Sequence, residues 1–366
     1  MNQNPFIVQM KPLFGDEEKR AISEYMDEGG FITEFKRTEK FEKMLTDYTG
    51  AKHCIVVNNG TISLTLAAIA LGLCHGDEVI VPNYTMVATP NSLKMIGVVP
   101  VFVDVEPDTL CLDIEKIKSA ITSKTRGIIF VSANGRYPKS GILEIKKIAK
   151  EHGLVLLEDA AQSLGSLYPE GNHVGTVGVI GSFSFSAPKI ISTGQGGALI
   201  TNSDELADKL RRLKDFGRSG GGNDVHDTIG YNFKFTELQA CVGIEQMKKL
   251  PGRVIRKKAI WMAYRRGLSG LEQVNLFNHD LSCTSPWFID VLADSRDDLV
   301  KYLKSVGIGT RTMYPPINLQ RAYSLPGNFP VCDEVGRRGL WLPSYVQLSD
   351  EEIDRVCLAI HDYYKS

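Results

Sequence analysis

No two cysteines in this sequence are spaced C-x-x-C. The seven of them (Cys54, Cys74, Cys111, Cys241, Cys283, Cys332 and Cys357) are scattered and odd in number, which excludes a disulfide framework or a zinc ribbon and fits reduced thiols. An excess of charge of one sign is also missing. Lys and Arg total 42 against 43 Asp and Glu, a net charge of −1, so the chain lacks the footprint of a nucleic-acid or anionic-membrane binder. No apolar run reaches the ~18 residues that suggest a spanning helix. The start, MNQNPFIVQMKPLFGDEEKR, carries no hydrophobic leader core, so a soluble, cytoplasmic protein is expected. The seven histidines fall into neither H-E-x-x-H nor H-x-H, which leaves a catalytic metal without support.

What is present is a rhythm. Residues 16–49 hold two helical patterns, each closed by glycine. Apolar strand-like runs follow: HCIVV, DEVIVP, VVPVFVDV, RGIIFV, LVLLED, GSFSF and GALITN. Among them are interleaved helical stretches such as SLTLAAIALGL and ILEIKKIAKEHG. Such alternation implies a mostly parallel sheet covered on both faces. From about residue 245 the texture changes to a basic amphipathic helix, the strand-like PWFIDVLA and two further helices. A large α/β domain over 1–245, with an N-terminal helical segment, and a smaller α+β domain over 246–366 are therefore expected. GRSGGGNDVHD (217–227) reads as a mobile polar loop, not a nucleotide clamp.

Three short stretches carry chemistry. In NNGTISLTL (58–66) a strand runs through Asn-Gly-Thr into a helix, which makes either a phosphate cradle or a simple cap by Thr61. It lacks the P-loop and Rossmann glycine patterns. In LLEDAAQSLGS (156–166) Asp159 ends an apolar strand, where open α/β sheets bind ligands; the alternative is a helix cap. In FSFSAPKIISTGQGG (183–197) Lys189 sits in a stretch that otherwise reads as interior, among Ser184, Ser186, Ser192 and Thr193. The three in this order suit pyridoxal phosphate. A lysine takes the aldehyde, an aspartate keeps the pyridine nitrogen protonated, and a helix N-terminus neutralises the phosphate.

Over essentially its whole length the chain resembles the DegT/DnrJ/EryC1/StrS family of sugar aminotransferases, which have the aspartate aminotransferase (type I) fold. The likeness rests on NNGTISL, GDEVIVP..T..AT, VFVDVEPDTLCLD, LLEDAAQSLGS, FSFSAPKIISTGQGG, GYNFKFTELQA and GTRTMYPP. The resemblance implies Lys189 as the Schiff-base lysine, Asp159 as partner of the pyridinium and Gln162 at the ring 3-oxygen. It places Gly60, Thr61, the backbone N–H of Ile62 and Ser184 at the phosphate, and Asn232 at the phosphate of a neighbouring subunit, hence a homodimer with shared sites.

Departures from the family pattern bear on the substrate. Met86 stands where an aromatic usually stacks on the cofactor ring; a thioether can also pack there. SANGRYP brings Asn134 and Arg136 toward the substrate approach, with a structural ion pair as the alternative for Arg136. Arg311 and Tyr314 are candidates from the second domain, Lys234 replaces a usual arginine, and Met313 a usual histidine. Retention of the lysine, which the family's dehydratase branch replaces by histidine, favours transamination.

The expectation is therefore transfer of an amino group from glutamate to a nucleotide-linked keto-sugar, with pyridoxal 5′-phosphate cycling through pyridoxamine phosphate. The closing segments resemble the perosamine-synthase type, hence a 4-keto-6-deoxyhexose for amino-sugar and surface-polysaccharide (O-antigen) synthesis. A 3-keto-sugar substrate and a cofactor-binding regulatory protein without turnover stay open as alternatives.

Overall fold

The computed structural model describes residues 5–219 and 224–365; residues 220–223, inside the loop expected to be mobile, lie outside the described residues. Seven strands form the large sheet: β1 (His53–Val57), β2 (Glu78–Pro82), β3 (Val99–Val103), β4 (Thr125–Val131), β5 (Val155–Asp159), β6 (Ile180–Ser184) and β7 (Gly197–Thr201). Their order is β1-β7-β6-β5-β4-β2-β3. From β3 to β6 every pairing is parallel, and β7 runs antiparallel to both β6 and β1. The reversed strand follows from its connection: β6 returns to β7 through a loop with no crossover helix, which only an antiparallel neighbour permits.

The strands are apolar throughout because both faces are covered. Cys54, Val56, Ile128 and Phe130 point into one core with Phe41 and Ile145. Their alternates Ile55, Val57, Ile129 and Val131 point into another with Leu64 and Leu210. The two N-terminal helices, Asp16–Glu28 and Lys36–Thr49, end on left-handed glycines, Gly29 (φ 67°) and Gly50 (φ 75°), as their sequence patterns require.

The boundary expected between residues 245 and 246 falls inside one helix. Glu237–Gly267 passes through Pro251 without ending. Ala240, Ile244 and Leu250 belong to the large-domain core, and Ile260, Trp261 and Tyr264 to a third core. The two domains thus share a beam. The third core lies against a small antiparallel sheet of order β10-β11-β9-β8, built from β8 (Val274–Leu276), β9 (Ile289–Ala293), β10 (Arg311–Thr312) and β11 (Gly339–Leu342). Ile7 also belongs to it, hydrogen-bonded through its backbone to Gly307 and Gly309 (2.9 and 2.7 Å). The chain near Ile7 therefore packs against the small antiparallel sheet's core.

Candidate active site

The C-terminal ends of β1, β5 and β6 reach the same edge of the large sheet, beside the start of β7. Gly197 there pairs with Val57 on one side and Ser184 on the other. Asp159 closes β5 and is buried. Its Oδ2 accepts the Thr89 hydroxyl (2.8 Å) and its Oδ1 accepts the Ala161 N–H (3.2 Å). Thr89 is itself hydrogen-bonded to the Thr85 hydroxyl (2.8 Å). Burial pushes the Asp159 carboxyl up, while Thr89, Ala161 and the Lys189 ammonium each pull it back toward ionisation.

Lys189 follows β6 on the loop that returns to β7. Desolvation pushes its amine down to about 8; Asp159 opposes that shift and the Arg311 guanidinium adds to it. Its Nζ lies 4.2 Å from the centroid of the Trp287 ring. An amine in this state is neutral in an appreciable fraction near neutral pH, as a nucleophile or proton acceptor must be.

A second corner of the site presents unpaired donors. The helix Gly60–Ala70 starts directly after β1, capped by Asn59, whose Oδ1 takes the Ile62 N–H (2.9 Å). The Ile62 N–H expected at a phosphate is therefore already used. The free donors are the N–H groups of Gly60 and Thr61, which have no acceptor among the described residues. Ser184 faces them: a Cβ on Gly60 would stand 2.8 Å from Ser184 Cβ and 3.1 Å from its Oγ. Two free amides at a helix N-terminus and a hydroxyl fit a phosphate group. Ser63 Oγ bonds to both Gly60 O (2.7 Å) and Ser182 Oγ, tying the helix start to β6.

Gln162 Oε1 accepts the Asn134 N–H (2.7 Å). That bond fixes the amide orientation and leaves the Nε2 protons, unpartnered among the described residues, to donate to an oxygen. Met86 (45% exposed), Arg311 and Tyr314 line an open cleft of about 650 Å³ between the domains, together with Arg321. Tyr314 is pushed up to about 12 by burial, with Arg311 opposing, and so stays a neutral hydroxyl.

Two expected substrate contacts are committed elsewhere. Arg136 is buried, paired bidentately with Asp290 (3.1 and 2.7 Å), and also donates to Thr109 O (2.9 Å). The ion-pair alternative describes it. The Asn134 side chain bridges the backbone of Phe288, donating to its O (2.9 Å) and accepting its N–H (2.6 Å). Asn232 is exposed and joined to Asp215 by an isolated bridge. It does not cap the following helix, whose cap is Thr236. Lys234 pairs with Asp215 (2.6 Å), and Met313 is buried in a core that includes Tyr84 and Trp341.

Thr89 and Trp287 stand at this site without being among the residues expected there. Thr89 stands four residues after Thr85 in the quoted P..T..AT pattern, just inside the helix Ala88–Lys94. Trp287 meets Lys189 only through the tertiary fold, and nothing local in the sequence marks it.

Residues 12–361 match the DegT/DnrJ/EryC1/StrS aminotransferase family. The GDP-perosamine synthase of Escherichia coli O157:H7 is 33% identical over 363 residues, covering 98% of this chain and 99% of that protein. A DegT DnrJ EryC1 StrS aminotransferase from Brucella abortus superposes with a TM-score of 0.90 at 30% identity, covering 96% of each chain. A Streptococcus pneumoniae protein solved in a PLP form superposes with a TM-score of 0.91 at 26% identity, covering 99% of each chain. With a buried carboxylate ending β5, an amine on the loop after β6 and free amides at a helix start, the chain belongs to the DegT/DnrJ/EryC1/StrS family and is a pyridoxal-phosphate-dependent aminotransferase of the type I fold.

Proposed function

We propose that this enzyme moves an amino group from glutamate to a nucleotide-linked 4-keto-6-deoxyhexose, acting as a homodimer with shared sites. The observation that carries the chemistry is the Lys189 amine, partly neutral near neutral pH, in the field of the buried Asp159 carboxylate. The sugar class is supported by the perosamine synthases among the relatives and by the closing segments of the chain.

Pyridoxal phosphate, when bound, supplies an aldehyde and a protonated pyridine ring that draws electrons away from the donor's α-carbon. Gly60 and Thr61 would hold its phosphate through their free N–H groups, with Ser184 through its hydroxyl. Asp159, whose oxygens accept from Thr89 and Ala161, would pair with the pyridine nitrogen and keep it protonated. Gln162 would donate from Nε2 to the ring oxygen, and Met86 would pack against the ring. Lys189 would hold the cofactor through its side-chain amine and be released when the donor amine takes its place. Freed as an amine, its Nζ would act as the general base that takes the proton from the donor's α-carbon and as the acid that gives it back, the two roles reversing for the keto-sugar. Arg311 and Tyr314, in the cleft wall, would meet the incoming substrate. Asn232 would serve the phosphate of the second subunit.

The test follows the absorbance of the purified holoenzyme as glutamate is added, then adds nucleotide-linked 4-keto and 3-keto hexoses and locates the new amine by NMR. Conversion by glutamate, with nitrogen at C4, is expected. Nitrogen at C3 would reassign the sugar, and no spectral change with glutamate would overturn the donor.

A further inference from the structure

The peptide groups around Lys189 are gripped by side chains from outside the large sheet. Pro188 O, on the peptide ahead of the lysine, accepts the Trp287 indole N–H (2.7 Å). Ile190 O, just after it, accepts Arg253 Nη1 (2.7 Å). The Ser192 N–H donates to Gln246 Oε1 (3.2 Å). Gln246 and Arg253, seven residues apart on the shared helix, are bonded to each other (2.6 Å). Both also donate to Leu13 O (3.0 Å each). The lysine loop is thus pinned from the small domain and from the interdomain helix.

Trp287 is 4% exposed. Its ring stacks on Phe288 (centroids 3.9 Å apart) and meets Trp341 edge-on (5.9 Å). The Asn134 side chain holds the backbone of Phe288, the next residue, from both sides. Asn134 adopts a left-handed conformation (φ 55°) there, one that asparagine tolerates better than most residues. The same residue's N–H orients Gln162. A continuous path therefore runs from Gln162 through Asn134 and Trp287 to the lysine.

We propose that Trp287 is a positioning residue for Lys189, its indole N–H fixing the peptide ahead of the lysine and its ring face seating the ammonium. A cation is attracted to the face of an indole and a neutral amine far less. The ring therefore holds Nζ after it has taken a proton and releases it as a free base. The charged groups whose fields reach the amine are Asp159, which favours its protonated form, and Arg311, which opposes it; Trp287 acts beside them without charge of its own.

The experiment uses Trp287→Phe (ring without donor), Trp287→Gln (donor without ring) and Trp287→Leu (neither), each checked for folding by thermal melting. The first readout is the pH midpoint for covalent attachment of added pyridoxal phosphate to the apo-protein, followed by absorbance. This needs no sugar, so its failure is separate from an error in the substrate assignment. Removing the ring removes a preference for the ammonium form, so Gln and Leu should shift the midpoint downward by about half a pH unit or more, and Phe should leave it near the parent value. The second readout is the glutamate half-reaction on the loaded enzyme. Here kcat should fall about tenfold in all three variants with KM within about twofold. Parental midpoints in both Gln and Leu, or a risen KM with unchanged kcat, would overturn the proposal. Should Leu fail to fold, the Phe and Gln pair decides it.

Discussion

Burial works against charge at Asp159, and the two donors on its oxygens oppose that shift. Asp159→Asn keeps much of the shape and can still accept from Thr89, but an amide cannot pair with a protonated pyridine nitrogen. Since one pKa unit corresponds to about 1.4 kcal/mol and a buried pair can be worth two or more units, α-proton removal should slow by roughly a hundredfold or more. Single-turnover conversion with glutamate measures this, with cofactor retention checked by absorbance. A near-parental rate would mean that another group protonates the ring. A different residue gives a stability prediction. Lys257 is buried, donates to Ser344 O (2.5 Å), and is pushed down to about 7 by desolvation. Below pH 7 it is protonated in both the folded and unfolded states, and the folded state bears the full burial cost. Between about 7 and the usual lysine value the unfolded chain binds a proton the folded one does not, so stability from this group rises with pH. Denaturant melts of the parent and Lys257→Met across pH 6 to 9 should therefore show the mutant's relative stability falling as pH rises, by up to about 1.4 kcal/mol per unit. A pH-independent difference would show that Lys257 stays charged.

At the scale of elements, the junction of β1, β7 and the helix Gly60–Ala70 leaves no room for a methyl group. A Cβ at Gly197 would stand 2.5 Å from Asn59 O and 2.9 Å from Gly60 N. Both neighbours are backbone, so the helix start itself must move. Gly197→Ala should cost about 1–3 kcal/mol, in the range of overpacked cores, and weaken cofactor retention, because the displaced amides are those aimed at the phosphate. Thermal melting and cofactor loss on dilution read the two effects. A stable variant with normal retention would place the phosphate elsewhere. Most elements were legible in the sequence because their signals are local. Examples are the apolar runs of the seven strands, the glycines closing the first two helices, and the strand-to-helix turn at Asn59–Gly60. Asp159 and Lys189 were legible for the same reason, each sitting at the end of a buried strand or in an interior-like loop. What escaped was non-local. The reversed β7 depends on a pairing, the run of one helix through Pro251 on packing at both its ends, and the capture of Arg136 on Asp290, which lies far along the chain on β9. In each case the deciding partner is distant in sequence, and residue type alone leaves both outcomes open.

At the scale of the molecule, the surface carries apolar groups that a monomer has no use for. Phe31 is 71% exposed and Ile229 79% exposed, with Ile32, Phe35 and Tyr231 also exposed. The two segments bearing them are tied together by a bridge between Thr33 and Thr236 and by the Phe235 N–H donating to Glu34 Oε1 (2.8 Å). Exposed aromatics of this kind mark an interaction surface, and under the proposed shared active site the partner is a second copy of the chain. Asn232 stands beside this patch, and its side chain has no partner among the described residues. If it completes the neighbour's phosphate site, Asn232→Ala and Lys189→Ala damage different components of each composite site. In a dimer made of one of each, one site receives both intact residues and the other carries both lesions. Dual-tagged co-expression isolates that hybrid, and mass spectrometry verifies its composition. Activity should exceed the mean of the two mutant homodimers and approach half that of the parent dimer, with the contrast sharpest if Asn232→Ala alone is severely impaired. A hybrid equal to that mean would return Asn232 to its own subunit. Replacing Ile229 by Asp supplies the complementary result: burying an unpaired carboxylate at a contact is costly, so the dimer should dissociate in light scattering and lose cofactor with it. A variant that remains dimeric and active would move the interface away from this patch.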